Sequence, residues 1–397
     1  MSLQTKPDKI ACYELFRVTP RWLFLRIETD QGVVGWGEPV VEGYAEAVEA
    51  TVRVMMESLI GKDAGRIQYH WQTLAKGDFY GGLGPVMMSA LAGIDQALWD
   101  IKGKTLGASV VDLLGGSVRD RQMVYGHVAA DFEPDDIAAA VAKKRCDDYG
   151  FKLIKLCGSP PMGYTDQQRA IEAGAARVAA VRAAVGPDIQ VAVDFHGRCK
   201  LPMARKLMRA LEPYDIAFFE EVVHPDFNDA LPDLANWTEV PLATGERMFH
   251  YADFYDLLRR PGVSIIQPDP SHAGGITHCL DIARLAEHRD VALALHCPLG
   301  PIALAACLAI DFVCLNAEFQ ESGIGLTYKP EDGGRGVLDY VLNPEDFKLD
   351  ADGAMPPLPG PGLGVQMNEE LIREMAKTPH EWRGPIEPLP DGSPTRW

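Results

Sequence analysis

Six chemically assertive residues recur from the middle of the chain onward at nearly constant intervals. They are Asp194, Glu220, Glu246, Asp269, His296 and Glu321, separated by 26, 26, 23, 27 and 25 residues. Each ends or closely follows a short apolar run, as in Val191-Ala192-Val193-Asp194 and Ala217-Phe218-Phe219-Glu220. Candidate strands end near Tyr125, Leu156, Asp194, Glu220, Glu246, Asp269, His296 and Glu318. Helical stretches such as Gln168 to Ala184, Met203 to Leu211 and Ile276 to His288 lie between them. Eight βα-type units predict an α/β fold, a parallel barrel inside a ring of helices, with its site at the strands' C-terminal ends.

The first third has a different texture. Residues 8 to 41 alternate as antiparallel strands with a turn at Asp30-Gln31-Gly32. Met87, Leu91, Ile94, Leu98 and Ile101 then draw one apolar helical stripe, with Pro85 at its start and Gly103 near its end. We therefore expect an α+β unit over residues 1–121 and the barrel over 122–355. The Pro- and Gly-rich residues 356–397, with a short helix capped by Asn368, are expected to pack on the first unit.

Two glycine signals fail as nucleotide sites. Gly81-Gly82-Leu83-Gly84 lacks the G-x-G-x-x-G spacing, and Leu98 stands where a P-loop before Gly103-Lys104-Thr105 needs glycine. A net charge of −18 argues against nucleic acid or anionic membrane as partner. The eight cysteines contain no C-x-x-C pair and read as reduced thiols. With no signal-peptide core and no bilayer-length apolar run, a cytoplasmic location is expected.

Carboxylates converging on one barrel mouth repel one another unless a cation neutralises them. Asp194, Glu220 and Glu246 offer hard oxygen donors, which suit Mg²⁺, or Mn²⁺ as a substitute, better than zinc. An anionic, chelating small molecule follows as substrate. His196, two residues after Asp194, should share its strand face and deliver a proton. Asp269 can hold one nitrogen of His296 and raise the basicity of the other, making His296 a general base for a proton beside a carboxylate. Glu321, if protonated, can hydrogen-bond the resulting intermediate. Glu221 should point away into an ion pair, and His224, His250, His272 and His278 read as structural. His127, near the first strand end, is a candidate substrate contact.

Several blocks resemble the enolase superfamily, mandelate racemase subgroup, and within it the galactonate dehydratases. They include Gly35-Trp36-Gly37-Glu38-Pro39, Asp194-Phe195-His196-Gly197-Arg198, Gly245-Glu246-Arg247, Gln267-Pro268-Asp269-Pro270-Ser271-His272-Ala273-Gly274-Gly275 and Leu295-His296-Cys297-Pro298-Leu299-Gly300-Pro301. The resemblance implies a modified (β/α)₇β barrel under a cap built from both chain ends, with loops near Arg21 and Phe79 to Gly84 closing the mouth. It also implies a homo-oligomer. The reaction implied is Mg²⁺-dependent loss of water from an aldonate, most closely D-galactonate. Asp194, Glu220 and Glu246 match the metal ligands, and His296 with Asp269 matches the base and its orienting partner. His196 matches the acid for the 3-hydroxyl, and Glu321 the enolate stabiliser.

Two alternatives stay open, a racemase or epimerase of the same subgroup and a non-catalytic metabolite-binding relative. The racemases carry a second lysine base where Lys155-Leu156-Cys157 has a thiol, which favours dehydration. The dehydratases compared usually have Asn at Cys157 and Pro at Val222, and the loop 157–164 is distinctive, so the identity of the acid sugar is left open.

Overall fold

Antiparallel strands β1 (Ile10–Val18), β2 (Trp22–Thr29) and β3 (Val34–Gly37) open the computed structural model in the expected meander. The structure describes residues 8–384 except 78, 83, 129–132, 161, 166–167 and 327–334, together with 388, 389 and 391–394. Leu83 of the glycine-rich stretch and Pro161 of the loop after Cys157 therefore lie outside the described residues.

Helices α1 (Ala45–Glu57), α2 (Ile67–Lys76), α3 (Gly84–Leu106) and α4 (Val110–Leu113) follow. The predicted apolar stripe falls on α3, but a single stripe understates its burial. Ala92, Gly93, Asp95, Gln96 and Asp100 are buried as well, because α3 is sandwiched between the first sheet and the barrel's helical shell. On the sheet side the backbones touch: a Cβ on Gly37 would lie 1.9 Å from the Gly93 carbonyl oxygen. On the barrel side Gln96 Nε2 donates to Pro270 O at 3.0 Å.

The barrel alternates strand and helix. Its elements are β4 (Gln122–His127), α5 (Asp135–Tyr149), β5 (Leu153–Cys157), α6 (Gln168–Val185), β6 (Gln190–Asp194), α7 (Leu201–Leu211), β7 (Ile216–Glu220) and α8 (Leu231–Ala235). They continue with β8 (Leu242–Thr244), α9 (Tyr251–Leu258), β9 (Ile265–Ile266), α10 (Gly275–Glu287), β10 (Ala292–Leu293), α11 (Pro301–Asp311) and β11 (Gln320–Ser322). Neighbouring strands from β4 to β10 pair in parallel, β11 joins β4, and a parallel bridge from Leu293 to Ala317 brings the two ends together. The result is (β/α)₇β, with β12 (Ala354–Met355) antiparallel to β4.

Several expected strand ends shift. β8, β9 and β10 stop at Thr244, Ile266 and Leu293, so Glu246, Asp269 and His296 lie on the loops beyond them. Glu318 precedes the eighth strand, and Glu321 lies inside it.

In the tail, Asn368 Oδ1 accepts the Leu371 N–H at 3.1 Å and caps α12 (Glu369–Met375). Arg373 pairs with Glu14 at 2.7 Å, and His380 Nε2 bonds Trp22 O at 3.1 Å. None of the eight cysteines forms a disulfide. No helix among the described residues is long and apolar enough to cross a membrane.

Candidate active site

The barrel interior contains one apolar layer, to which every strand or its extension contributes: Tyr125, Leu153, Ala192, Phe218, Ala243, Ile265, Ala294 and Phe319. Side chains of extended chain return to the same face every second residue. Two positions further along stand His127, Lys155, Asp194, Glu220, Gly245, Gln267, His296 and Glu321. That ring is the polar mouth. Gly245, at φ 141°, breaks the alternation and turns the next residue, Glu246, toward the other carboxylates.

Asp194, Glu220 and Glu246 each bring a carboxylate oxygen within 4.8 Å of the others. Lys155 Nζ lies 2.5 Å from Glu220 Oε1, 3.0 Å from Glu321 Oε1 and 3.6 Å from Asp194 Oδ2. Gln267 Nε2 donates to Glu220 Oε2 at 2.6 Å. Burial pushes Asp194 up to about 7 against the pull of Lys155. Glu220 rises to about 7 through burial and the neighbouring Asp194 charge. Four carboxylates thus face one ammonium, and the surplus negative charge and all-oxygen donor set fit a hard divalent cation.

Two histidines flank this cluster. His296 Nδ1 donates to Asp269 Oδ2 at 2.7 Å, and its Nε2 lies 3.3 Å from Glu246 Oε2. His196 Nε2 lies 3.1 Å from Asp194 Oδ2, and the His127 and His196 ring centres are 6.1 Å apart. The reason for His196's placement differs from the expected one. β6 stops at Asp194, and His196 sits at φ 48° with its N–H bonded to Asp194 Oδ1 at 2.6 Å. The two side chains meet through a tight turn, not through strand alternation. Burial, together with the Arg198, His127, Lys155 and Arg247 charges, holds His196 well below the usual imidazole value. Burial acts the same way on His296, but Glu246 and Asp269 overcome it and hold that imidazole well above.

Glu321 accepts the Cys297 N–H at 3.1 Å; burial pushes its carboxyl up, but Lys155, His296 and His127 together hold it below the ordinary range. Its second oxygen lies toward Lys155. Glu221 pairs with Arg247, as expected. His224, His250 and His278 make local bonds: to the Asp226 N–H, in the cap of α9, and to Ala273 O. His272, also read as structural, has contacts that reach beyond its own turn. It stands 3.4 Å from Asp269 Oδ2, three residues along the chain, and 3.2 Å from Glu42 Oε2 of the N-terminal unit. The i, i+3 spacing to Asp269 was readable; the Glu42 contact spans units and was not. Lys155 also escaped notice as a site residue, although its place two residues after Leu153 marks it.

Residues 4–115 match the mandelate racemase / muconate lactonizing enzyme N-terminal domain, and residues 137–371 match the enolase C-terminal domain-like family. The chain belongs to this family of the enolase superfamily, in the mandelate racemase subgroup. Its relatives include D-galactonate dehydratases from Pectobacterium atrosepticum and Ralstonia nicotianae, 50% and 51% identical over 98% of this chain and 100% of each relative. Among solved structures, an enolase from Agrobacterium radiobacter bound to Na and L-malate is similar at TM-score 0.85 and 30% identity, covering 98% of this chain and 99% of that one. A mandelate racemase/muconate lactonizing enzyme from Jannaschia is similar at TM-score 0.83 and 27% identity, covering 94% and 99%.

Proposed function

We propose that this chain is a divalent-metal-dependent acid sugar dehydratase that converts D-galactonate to its 2-keto-3-deoxy product. One observation carries the reading. Two imidazoles bracket the carboxylate cluster, His196 on Asp194 at 3.1 Å and His296 on Glu246 at 3.3 Å. A substrate anchored there by its carboxylate would have a group able to take its α-proton and another able to protonate a departing hydroxyl. The 50% identity to D-galactonate dehydratases supports the choice of sugar acid.

Asp194, Glu220 and Glu246 would hold Mg²⁺, or Mn²⁺ as a substitute. When bound, that cation supplies charge that anchors the substrate carboxylate, acidifies the neighbouring carbon and offsets the anions that keep His296 protonated. Asp269 fixes the His296 tautomer, leaving Nε2 as the base for the C2 proton. Lys155, 3.0 Å from Glu321, offers an ammonium beside the carboxylate cluster, and Glu321 would contribute to enolate stabilisation by holding it there. An anionic substrate raises His196 toward the imidazolium that protonates the 3-hydroxyl, and the enol product then ketonises.

Racemisation fits less well, because β5 ends in a thiol, Cys157, approached by Arg198 Nη1 at 3.5 Å. The reading takes residues 1–121 and 356–397 as a cap over 122–355, in a cytoplasmic homo-oligomer. A panel of mono- and diacid sugars assayed with Mg²⁺ in D₂O tests it. D-Galactonate should give a 2-keto acid. Deuterated substrate without keto acid would replace the reading with a racemase or epimerase, and tight binding without turnover would replace it with a metabolite-binding protein.

A further inference from the structure

Asp269 serves two imidazoles with one oxygen. Its Oδ1 is occupied by the Ser271 N–H at 2.6 Å, while Oδ2 accepts from His296 Nδ1 at 2.7 Å and lies 3.4 Å from His272 Nδ1. The turn that makes this possible is tight: the His272 and Ala273 N–H groups both bond back to Asp269 O, at 2.9 and 2.7 Å. His272 then leads away from the barrel. Its Nε2 is 3.2 Å from Glu42 Oε2, on the loop between β3 and α1. Glu42 Oε1 is 3.6 Å from Arg21 Nη2, and that nitrogen donates to Pro298 O at 3.1 Å, two residues past His296. Trp382 of the tail lies under the Arg21 guanidinium at 5.1 Å. The contacts form a closed circuit, His296, Asp269, His272, Glu42, Arg21 and Pro298, that leaves the base's loop and returns to it through the N-terminal unit.

We infer that His272 and Glu42 are positioning residues: they tie the N-terminal unit to the Asp269 carboxylate and thereby set the orientation of the base His296. Electrostatics agrees with the geometry. Burial works against charge on both, yet Asp269 and Glu42 hold His272 above the ordinary imidazole value, and His272 and Arg21 hold Glu42 well below the carboxylate range. Neither residue belongs to the Asp194, Glu220 and Glu246 carboxylate group; His272 lies with Asp269 and His296 in a second set of donor atoms, so the arm of the test that reads the imidazole is run without metal. A carboxylate that orients a functional imidazole needs its own partners; for the analogous partners behind metal-bound imidazoles, loss costs about 10 to 100-fold in affinity or activity.

The inference rests on His296 acting as the base of the proposed dehydratase, so one arm of its test needs no substrate. In the full-length, metal-free protein with ¹⁵N-labelled histidine, the Nδ1–H signal of His296 should shift and exchange faster in both His272→Asn and Glu42→Gln. His250→Gln, at the far cap of α9, should leave it in place. In the Mg²⁺-loaded enzyme, kcat and C2-proton exchange should fall together by about 10 to 100-fold with KM within about threefold. The double variant should be no worse than His272→Asn alone, since both act through one path. An unchanged His296 signal in Glu42→Gln overturns the inference even if His272→Asn does not fold. A rise in KM with kcat intact overturns it too, making Glu42 a substrate ligand. If the wild type leaves D-galactonate untouched, the proposed function fails while the spectroscopic arm still decides the positioning role.

Discussion

At φ 48° His196 holds a left-handed backbone conformation that costs a non-glycine residue of order 1 kcal/mol or more. Its surroundings offset that cost. The Gly197 N–H bonds Glu221 O at 2.8 Å, and Arg247 Nη2 donates to His196 O at 3.1 Å while also pairing with Glu221. The strain aims the imidazole at Asp194, which separates its role from that of His296. Replacing His296 by Asn should abolish both turnover and exchange of the C2 proton with D₂O. Replacing His196 by Asn should cut turnover by about 10²-fold or more, the usual worth of an acid catalyst, and spare exchange. Full exchange in the His296 variant, followed by proton NMR, would sink the division of labour. Both residues were legible in sequence, because each carries an ionisable group just after an apolar run. The bend at His196 was not legible, since it depends on Glu221 and Arg247 from the loops after β7 and β8.

At the level of elements, carboxyl groups of the N-terminal unit cap helices of the barrel. Glu38, next after β3, accepts the Gly300 N–H at 2.7 Å and the Ala303 N–H at 3.0 Å, at the start of α11. Asp95, on α3, accepts the Thr277 N–H at 3.0 Å in the first turn of α10. Burial pushes Glu38 up to about 8, against the two backbone donors, and Asp95 up to about 7. A folded carboxyl raised above its unfolded value of 4.5 contributes stability that is complete below pH 4.5 and is lost as pH rises through about 8. Unfolding free energy should therefore fall by a few kcal/mol between pH 5 and 8, Asp95 adding in the same sense. Glu38→Gln should show a shallower slope in urea titrations at the two pH values. It should also cost about 1–3 kcal/mol at pH 5, because the amide leaves one backbone donor unsatisfied. A slope equal to wild type would contradict this. Sequence periodicity found α3 and the barrel units, but it assigned α3 one buried stripe. The burial of the polar residues Asp95, Gln96 and Asp100 does not show in that stripe, because their partners Thr277, Pro270 and Leu363 are distant in sequence, in the barrel and the tail.

Over the whole molecule, the carboxylate cluster ties folding to metal and to protons. Asp194 and Glu220, lifted to about 7 by burial, bind protons in the folded protein that the unfolded chain releases at lower pH. The metal-free protein should then lose stability as pH rises through about 7, and a divalent cation, which needs both groups ionised, should restore it. Mg²⁺ should raise the melting temperature more at pH 8 than at pH 6, by a few degrees at 100-fold excess over Kd, with EDTA reversing the gain. Calorimetry in two buffers of different ionisation enthalpy should register proton release on binding. An equal gain at both pH values, or one that survives Asp194→Asn, would argue against the cluster as the metal's place. Below that cluster the apolar layer from Tyr125 round to Phe319 closes the barrel like a cork. The mouth is therefore a cul-de-sac: sugar acid, expelled water and keto acid must share one doorway, and a product lingering there bars the next substrate from entering.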